Sequence, residues 1–515
     1  MADPALYHSP PAREVADALE ARLRRRLTTL ADSAVADLVA DSVFYERKRL
    51  ERDEAAPAYV EALESAAQAL RSQSRQAMES AAYQMVRDYA EEIHNPFSVR
   101  TYRFATRLLP GTLTRLLSAT KPRDLFTRDF DPASRMRLSG PIDRIRKLSE
   151  TATLILAPTH VSNLDSPLIG YALYAAKLPP FAYGAGLNLF SNPAMGFFMH
   201  RLGAYTVDRR KKNRLYKDTL KDYSTEIIGR GHHSLFFPGG TRSRSGRLES
   251  NLKKGLLGTG LAAWQESLAT GKPRDVYVVP CTLSMGLVLE AATLIADSLA
   301  EAGKQRYIIS DDEFAQPRTI ANFVRRVMRL DSAVHVVFGE PMDVMGNLVD
   351  ETGQSLDPRG AVIDRRGYVC NSSGEVVADE QRDHLYTERV ATRLCDAYAR
   401  DFVAQSTHLV AWAAWEALRS VYPGFDTWRL VRLHPDQAVV ERVAVAKRVE
   451  EALPRLHGHR SAMPATVPGI LDEAVTRLAS YHRRRALHPA GPTYRLTPEL
   501  ILYYRNRMVA WPGFR

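Results

Sequence analysis

Cysteine is almost missing from this 515-residue sequence. Cys281, Cys370 and Cys395 are widely spread and odd in number, so they form neither a disulfide framework nor a metal-ligand spacing. That usage points to a reducing compartment. No His-Glu-x-x-His or Cys-x-x-Cys pattern occurs, and no metal is expected. No Gly-x-Ser-x-Gly elbow occurs either, which disfavours a Ser-His-Asp hydrolase. Long apolar runs are lacking as well. The best candidate, residues 178–199, carries no charge but is broken by Pro179, Pro180, Gly184, Gly186, Pro193 and Gly196. So many breakers exclude a spanning helix, and any membrane contact should be peripheral. The first twenty residues have no basic region followed by an apolar run, so no signal peptide is expected and a cytoplasmic location is. No internal repeat is evident.

What the chain does contain is ordinary globular material, 45% hydrophobic and 25% charged, which argues against disorder. Its net charge of +11 favours anionic partners. The basic residues are scattered without an aromatic-basic recognition module, so no nucleic acid is expected. The length calls for more than one simple core.

Residues 1–135 read as a helical domain. Val15, Leu19, Leu23 and Leu27 recur at helical spacing, as do Val60, Leu63, Ala67 and Leu70, and the first strong break is Pro110-Gly111. Arg24, Arg25 and Arg26 read as a solvated helix face. Over residues 136–345 strands alternate with helices. Strands are expected at 152–157, 181–183, 204–207, 234–237, 276–281 and 334–338, and helices near 167–176, 211–228, 252–266, 289–302 and 320–329. This is the pattern of an α/β fold, a helix-covered mixed sheet whose ligand sites fall in loops at strand ends. Residues 346–383 read as a small β insertion with a strand at 368–370, and residues 384–515 as a helical, basic C-terminal region.

Four strand-end stretches carry the chemistry. In Leu154–Asp165 a buried strand breaks at Pro158 into a polar loop bearing His160, and a helix follows. Residues five apart do not share a helix face. In a strand-to-helix turn, however, Asp165 can fold back, orient the imidazole of His160 and stabilise its protonated form. A backbone N–H near this turn is the expected oxyanion donor. The stretch 236–248, FFPGGTRSRSGRL, runs from a strand into a loop in which Gly239, Gly240 and Gly246 let backbone N–H groups approach an anion and Arg242, Arg244 and Arg247, set between hydroxyls, can clamp phosphate oxygens. It lacks the Gly-Lys-Ser/Thr ending of a P-loop. The stretch 203–212 sets Arg209 at a third strand end, and 276–284 reads as a core strand broken by Pro280.

In order and spacing these four stretches resemble the glycerophospholipid acyltransferase superfamily, and within it the glycerol-3-phosphate acyltransferases. PTHVSNLDSPL is similar to the family's His-x4-Asp block. GAGLNLFSNPAMGFFMHRLGAYTVDRR is similar to its second block, including Asn188-Leu189 and the closing Arg209. The 401–411 stretch and Tyr503-Tyr504-Arg505-Asn506 resemble its C-terminal region. The likeness is close over residues 140–345 and looser beyond. One position departs: the family's third block usually reads Phe-x-Glu-Gly, and Gly239 stands at the Glu. Plastid-type relatives also lack that Glu and also carry a helical N-terminal domain.

The resemblance implies transfer of a fatty acyl group from acyl-CoA or acyl carrier protein, a co-substrate rather than a cofactor, to the sn-1 hydroxyl of glycerol 3-phosphate. His160 and Asp165 would then be catalytic. Arg209, Gly240, Arg242, Ser243 and Arg244 would bind substrate, residues 178–199 would line an acyl groove, and the basic C-terminus would favour peripheral association with the anionic inner face of the membrane. Lysophosphatidate or dihydroxyacetone phosphate as acceptor, or thioester or lipid binding without turnover because of Gly239, are the alternatives.

Overall fold

The computed structural model of the chain describes residues 10–53, 57–104, 136–187, 196–197, 199–302, 333–480, 482 and 484–515. Pro110-Gly111, Asn188-Leu189, the helix expected at 320–329 and part of the expected acyl groove lie outside these residues.

Four helices open the chain: α1 (Ala12–Leu27), α2 (Asp32–Leu50), α3 (Pro57–Ser72) and α4 (Arg75–Ile93). The α1 stripe of Val15, Leu19, Leu23 and Leu27 is buried as its spacing requires. In α3 the buried side is Leu63, Ala66, Ala67 and Ala69, while Val60 is exposed. This bundle does not close on itself. Its core continues into Tyr205, Leu215, Tyr216, Tyr223 and Ile227 of the next unit. Nor is the arginine run of α1 merely solvated: Arg26 pairs with Asp222 and Asp218 of the helix Arg214–Gly229, and the nearby Arg22 bridges Glu226 and Glu266. Asn213, which caps that helix, donates to the fully buried Glu46 of α2 at 2.9 Å. The helical domain is thereby fastened to the flank of the sheet.

Among the described residues the central sheet has eight strands: β1 (Met136–Ser139), β2 (Thr153–Pro158), β3 (Ala182–Gly186), β4 (Ala204–Val207), β5 (Ser234–Leu235), β6 (Val276–Met285), β7 (Val334–Phe338) and β8 (Met342–Asp343). Their order is β1-β7-β6-β2-β5-β3-β4, with β8 beside β6. The pairs of β7 and β8 with β6 are antiparallel and the rest parallel, so the sheet is mixed. β2 and β6 are buried along their whole length, as central strands covered on both faces must be. The strand expected to break at Pro280 instead runs on to Met285. Pro280 sits where the antiparallel partner of β6 changes, from β8 at Tyr277 and Val278 to β7 from Cys281, and its carbonyl still accepts from Gly339 N at 2.8 Å. The missing N–H therefore falls at a gap in the ladder.

Residues 343–377 overturn two expectations. No strand forms at 368–370; Arg365–Tyr368 is a 3-10 turn whose Asp364 side chain caps Arg366 N. The segment is also a repeat. Asp343, Asp350, Asp357, Asp364 and Asn371 recur every seven residues, each followed three positions later by a glycine. In four of the five units the side-chain oxygen accepts two backbone N–H groups of its own turn, and Gly346, Gly353, Gly360 and Gly374 take positive φ. Bridges such as Val349 to Ser355 and Leu356 to Val362 join successive units. The array is held by Asx turns rather than by long strands.

The C-terminal region is helical, as expected, with a small three-stranded sheet (Val439–Glu441, Leu487–Ala490 and Thr493–Leu496) that the sequence did not announce. Its helix Ser406–Val421 is buried over most of its surface and shares one core with β2, β6 and the helix Pro498–Arg505. Arg505 and Arg507, read as part of a basic surface, are buried. The terminal helix also presses on the arginine loop. Gly246 has φ +79°, and a Cβ there would lie 2.2 Å from Tyr503 O. Asn506 Nδ2 donates to Ser245 O at 2.8 Å beside it. Gly246→Ala is expected to lower the melting temperature and to expose the C-terminal segment to limited proteolysis, with a cost of about 2 kcal/mol or more from strain and clash together. A melting curve matching that of the unaltered chain would refute this.

Candidate active site

The site is built at the end of β2. The strand stops at Pro158, and the helix Asp165–Ala175 starts six residues beyond Thr159. Asp165 opens that helix and is fully buried, with its carboxylate turned back over the preceding loop. Its Oδ2 accepts from Val161 N at 2.5 Å, from Ser162 N at 2.9 Å and from the ring of His160 at Nδ1, 2.8 Å away. A carboxylate at Nδ1 fixes the proton there and leaves Nε2 as the basic nitrogen. Among the described residues Nε2 has no hydrogen-bond partner. The imidazole stacks on Phe237, with ring centroids 4.2 Å apart and planes at 24°. His160 and Asp165 are thus brought together as their spacing suggested, and Phe237 is a further neighbour that spacing does not reveal.

Two more carboxylates clasp the same turn. Glu249 Oε1 accepts from His160 N at 2.6 Å. Glu290 Oε1 accepts from Asn163 N and its Oε2 from Ser162 Oγ, both at 2.9 Å. Burial pushes the pKa of each of these glutamates upward; the amide of His160 and the charge of Arg507 oppose the shift at Glu249, and the amide of Asn163 and Arg242 oppose it at Glu290. Leu164 N and Asp165 N bond to Ser162 Oγ and Ser162 O. Every backbone N–H from His160 to Asp165 is therefore engaged, four within the turn and two by Glu249 and Glu290. None of these six is free to receive a developing charge, so an oxyanion donor near the turn would have to come from a neighbouring segment.

The arginine loop reaches the turn from β5. Ser243 N donates to His160 O at 2.8 Å, which locks the two loops together. Gly240, at φ +75°, closes the entry turn by donating to Phe237 O at 2.9 Å. Arg242 Nη1 lies 3.3 Å from Glu290 Oε1, and Arg244 pairs with the exposed Glu301 at 3.0 Å. Arg209, exposed at the end of β4, has no acidic partner among the described residues; partial loss of its hydration, and then the charge of Arg242, lower its pKa. Two guanidinium groups that repel each other form a place where an anion is stabilised. At the arginine loop a cavity of about 480 Å³ is lined by residues including Gly239, Arg242, Ser243, Arg244, Arg247 and Glu249; neither His160 nor Arg209 is among its lining residues. Arg242 and Arg244 thus share one cavity wall, with Arg244 drawn toward the outer rim by Glu301, whereas Arg209 feels the charge of Arg242 from outside that lining. Among the described residues no group of His, Cys, Asp and Glu is arranged to hold a metal ion.

A buried His-Asp turn tied to an arginine loop at the ends of parallel strands is the arrangement of an acyltransferase domain, and residues 142–284 match the acyltransferase family model. That match gives this part of the chain, residues 142–284, its likeness to the acyltransferase family. The chain is similar to the glycerol-3-phosphate acyltransferase of Pasteurella multocida, 33% identical over 208 residues, and to that of Haemophilus ducreyi, 33% identical over 204. These alignments cover 40% and 39% of this chain but only 24% and 23% of the relatives, so the chain matches about a quarter of their length. The crystal structure of the 1-acyl-sn-glycerophosphate acyltransferase from Thermotoga maritima is 15% identical and covers 57% of this chain and 94% of that one; at a TM-score of 0.27 the superposition is too loose for comparing sites. No helix among the described residues is long and apolar enough to cross a membrane.

Proposed function

We propose that the chain transfers a fatty acyl group from an acyl thioester, acyl-CoA or acyl carrier protein, to the sn-1 hydroxyl of glycerol 3-phosphate. The observation that carries this reading is the bond from His160 Nδ1 to the buried Asp165, which leaves Nε2 to act as base on a turn that Ser243 N ties to the arginine loop through His160 O. Nε2 takes the hydroxyl proton as the oxygen attacks the thioester carbonyl. The tetrahedral intermediate then expels the thiolate, which recovers that proton from the imidazolium. The products are the ester and a free thiol, and no covalent acyl-enzyme is required. Arg209 and Arg242 hold the phosphate, so that the hydroxyl is presented to His160 rather than found by diffusion.

Acylation of labelled glycerol 3-phosphate, with each donor in turn, tests the reading, and competition by lysophosphatidate and dihydroxyacetone phosphate ranks the acceptors. Absence of product with both donors would end it. Arg209→Ala is the cleanest probe of the phosphate clamp, because its side chain is exposed and no acidic group loses a partner. The KM for glycerol 3-phosphate is expected to rise about tenfold or more with kcat little changed, since a charge-assisted contact present in both ground and transition states is removed. Arg244→Ala, already paired with Glu301 at the rim, should do less. An unchanged KM in Arg209→Ala would remove that residue from the site. We place the chain peripherally at an anionic membrane surface because its lipid product partitions there. Sedimentation with vesicles containing anionic lipid should carry the protein down, and less so at high salt.

A further inference from the structure

The departure at Gly239 has a structural counterpart ten residues downstream. A Cβ added at Gly239 would lie 3.0 Å from Glu249 Cγ and 3.5 Å from Glu249 Oε1. Glu249 therefore stands against the first atom of any side chain at 239 and must give way by a few tenths of an ångström to admit one. It reaches that position from the far end of the arginine loop, which doubles back through Ser243 N to His160 O and Lys253 N to Pro238 O, at 2.8 and 2.7 Å. Its carboxylate does not point to solvent: Oε1 takes the amide of His160, and Oε2 is buried without a partner. A half-satisfied buried carboxylate against the catalytic turn costs folding free energy unless it contributes something there.

We propose that Glu249 is a positioning residue that supplies, from the other end of the loop, the carboxylate that position 239 lacks, holding the His160 backbone in register, and that Gly239 and Glu249 form a linked pair in which one position can carry the side chain only if the other does not. The functional half of this inference rests on the acyltransferase reading above; the packing half does not. It also changes the meaning of Gly239. Restoring a Glu there is not a repair, because Glu249 already stands against that position.

The test compares Glu249→Ala, Glu249→Gln, Gly239→Glu and the double variant Gly239→Glu/Glu249→Ala in the full chain, by melting temperature and by acylation kinetics. Glu249→Ala is expected to lose about tenfold or more in kcat, the scale of a buried hydrogen bond to a charged group, with little change in the KM for glycerol 3-phosphate. Glu249→Gln retains an acceptor oxygen for His160 N and should stay within about threefold of the unaltered chain. Gly239→Glu alone should melt lower and turn over more slowly, and the double variant should recover in both measures relative to Gly239→Glu. A Glu249→Ala protein with unchanged kcat overturns the positioning role. A double variant that melts no higher than Gly239→Glu overturns the linkage. Because melting needs no substrate, an unaltered chain that acylates nothing would count against the proposed function while the melting comparison still decides the pair.

Discussion

Replacing His160 with Ala should reduce acylation by roughly 10²–10⁴-fold, the usual contribution of a positioned general base, while leaving the fold and the KM for glycerol 3-phosphate close to their original values. The stability half of this expectation follows from the way Asp165 is held. Its Oδ2 keeps the amides of Val161 and Ser162 when the imidazole is gone, so no buried carboxylate is stranded and the turn retains its shape. What is lost is the stacking on Phe237 and one hydrogen bond. Asp165→Ala is the poorer probe of chemistry. It removes the orienting carboxylate and also orphans two backbone N–H groups in a fully buried site, so a fall in activity there mixes catalysis with unfolding. Initial rates with a labelled acceptor, beside a melting curve for each variant, separate the two. Full turnover by His160→Ala would dismiss it as the base.

How much of this site could be read beforehand depended on how far each group travels along the chain. Asp165 is five residues from His160, and the strand-loop-helix pattern around them is local, so both the pair and its turn were legible. Glu249 and Glu290 reach the turn from 89 and about 127 residues away. Neither falls within a pattern of periodicity or spacing that marks it out, and only the folded sheet brings them to one place. The same limit hides which amides of the turn are occupied: a turn rich in backbone N–H groups looks available until the carboxylates that engage them are known. The sheet itself was readable because β2, β4, β6 and β7 are short apolar runs between turn signals, whereas β1 and the two-residue β8 are too brief or too polar to stand out. The seven-residue array at 343–377 was missed for another reason. Its Asx and glycine positions read individually as loop, and its apolar position changes identity in each unit, from Val349 to Leu356 to Ile363 to Cys370, beside a second that is broken by Ser355. In the C-terminal region a helical pattern with arginines suggested a charged surface, but Arg505 and Arg507 lie buried, since a sequence shows charge but not the packing around it.

The second large effect is expected at Glu290, which joins the base to the phosphate clamp. Its two oxygens take Asn163 N and Ser162 Oγ on one side, and Arg242 approaches on the other. Glu290→Ala leaves a backbone N–H without its acceptor, a hydroxyl without its partner and an arginine without its counterion, all around a residue only 2% exposed. Each buried orphan costs about 1–3 kcal/mol, so the turn should loosen and the protein should melt measurably lower. Turnover should fall by about 10² or more, because a His160 displaced by a fraction of an ångström no longer meets the hydroxyl. Glu290→Gln separates geometry from charge. Its amide oxygen can still accept from Asn163 N, and its NH₂ can donate to Ser162 Oγ, so the turn is kept. The negative charge beside Arg242 is gone, and so is the burial penalty that pushes the Glu290 pKa upward. Glu290→Gln is therefore expected to melt near the unaltered chain and to bind glycerol 3-phosphate no more weakly, since Arg242 then meets the phosphate without a competing carboxylate. If Glu290→Ala melts and turns over like the unaltered chain, the clasp is incidental. If Glu290→Gln raises the KM, Arg242 depends on its carboxylate for placement more than it is masked by it.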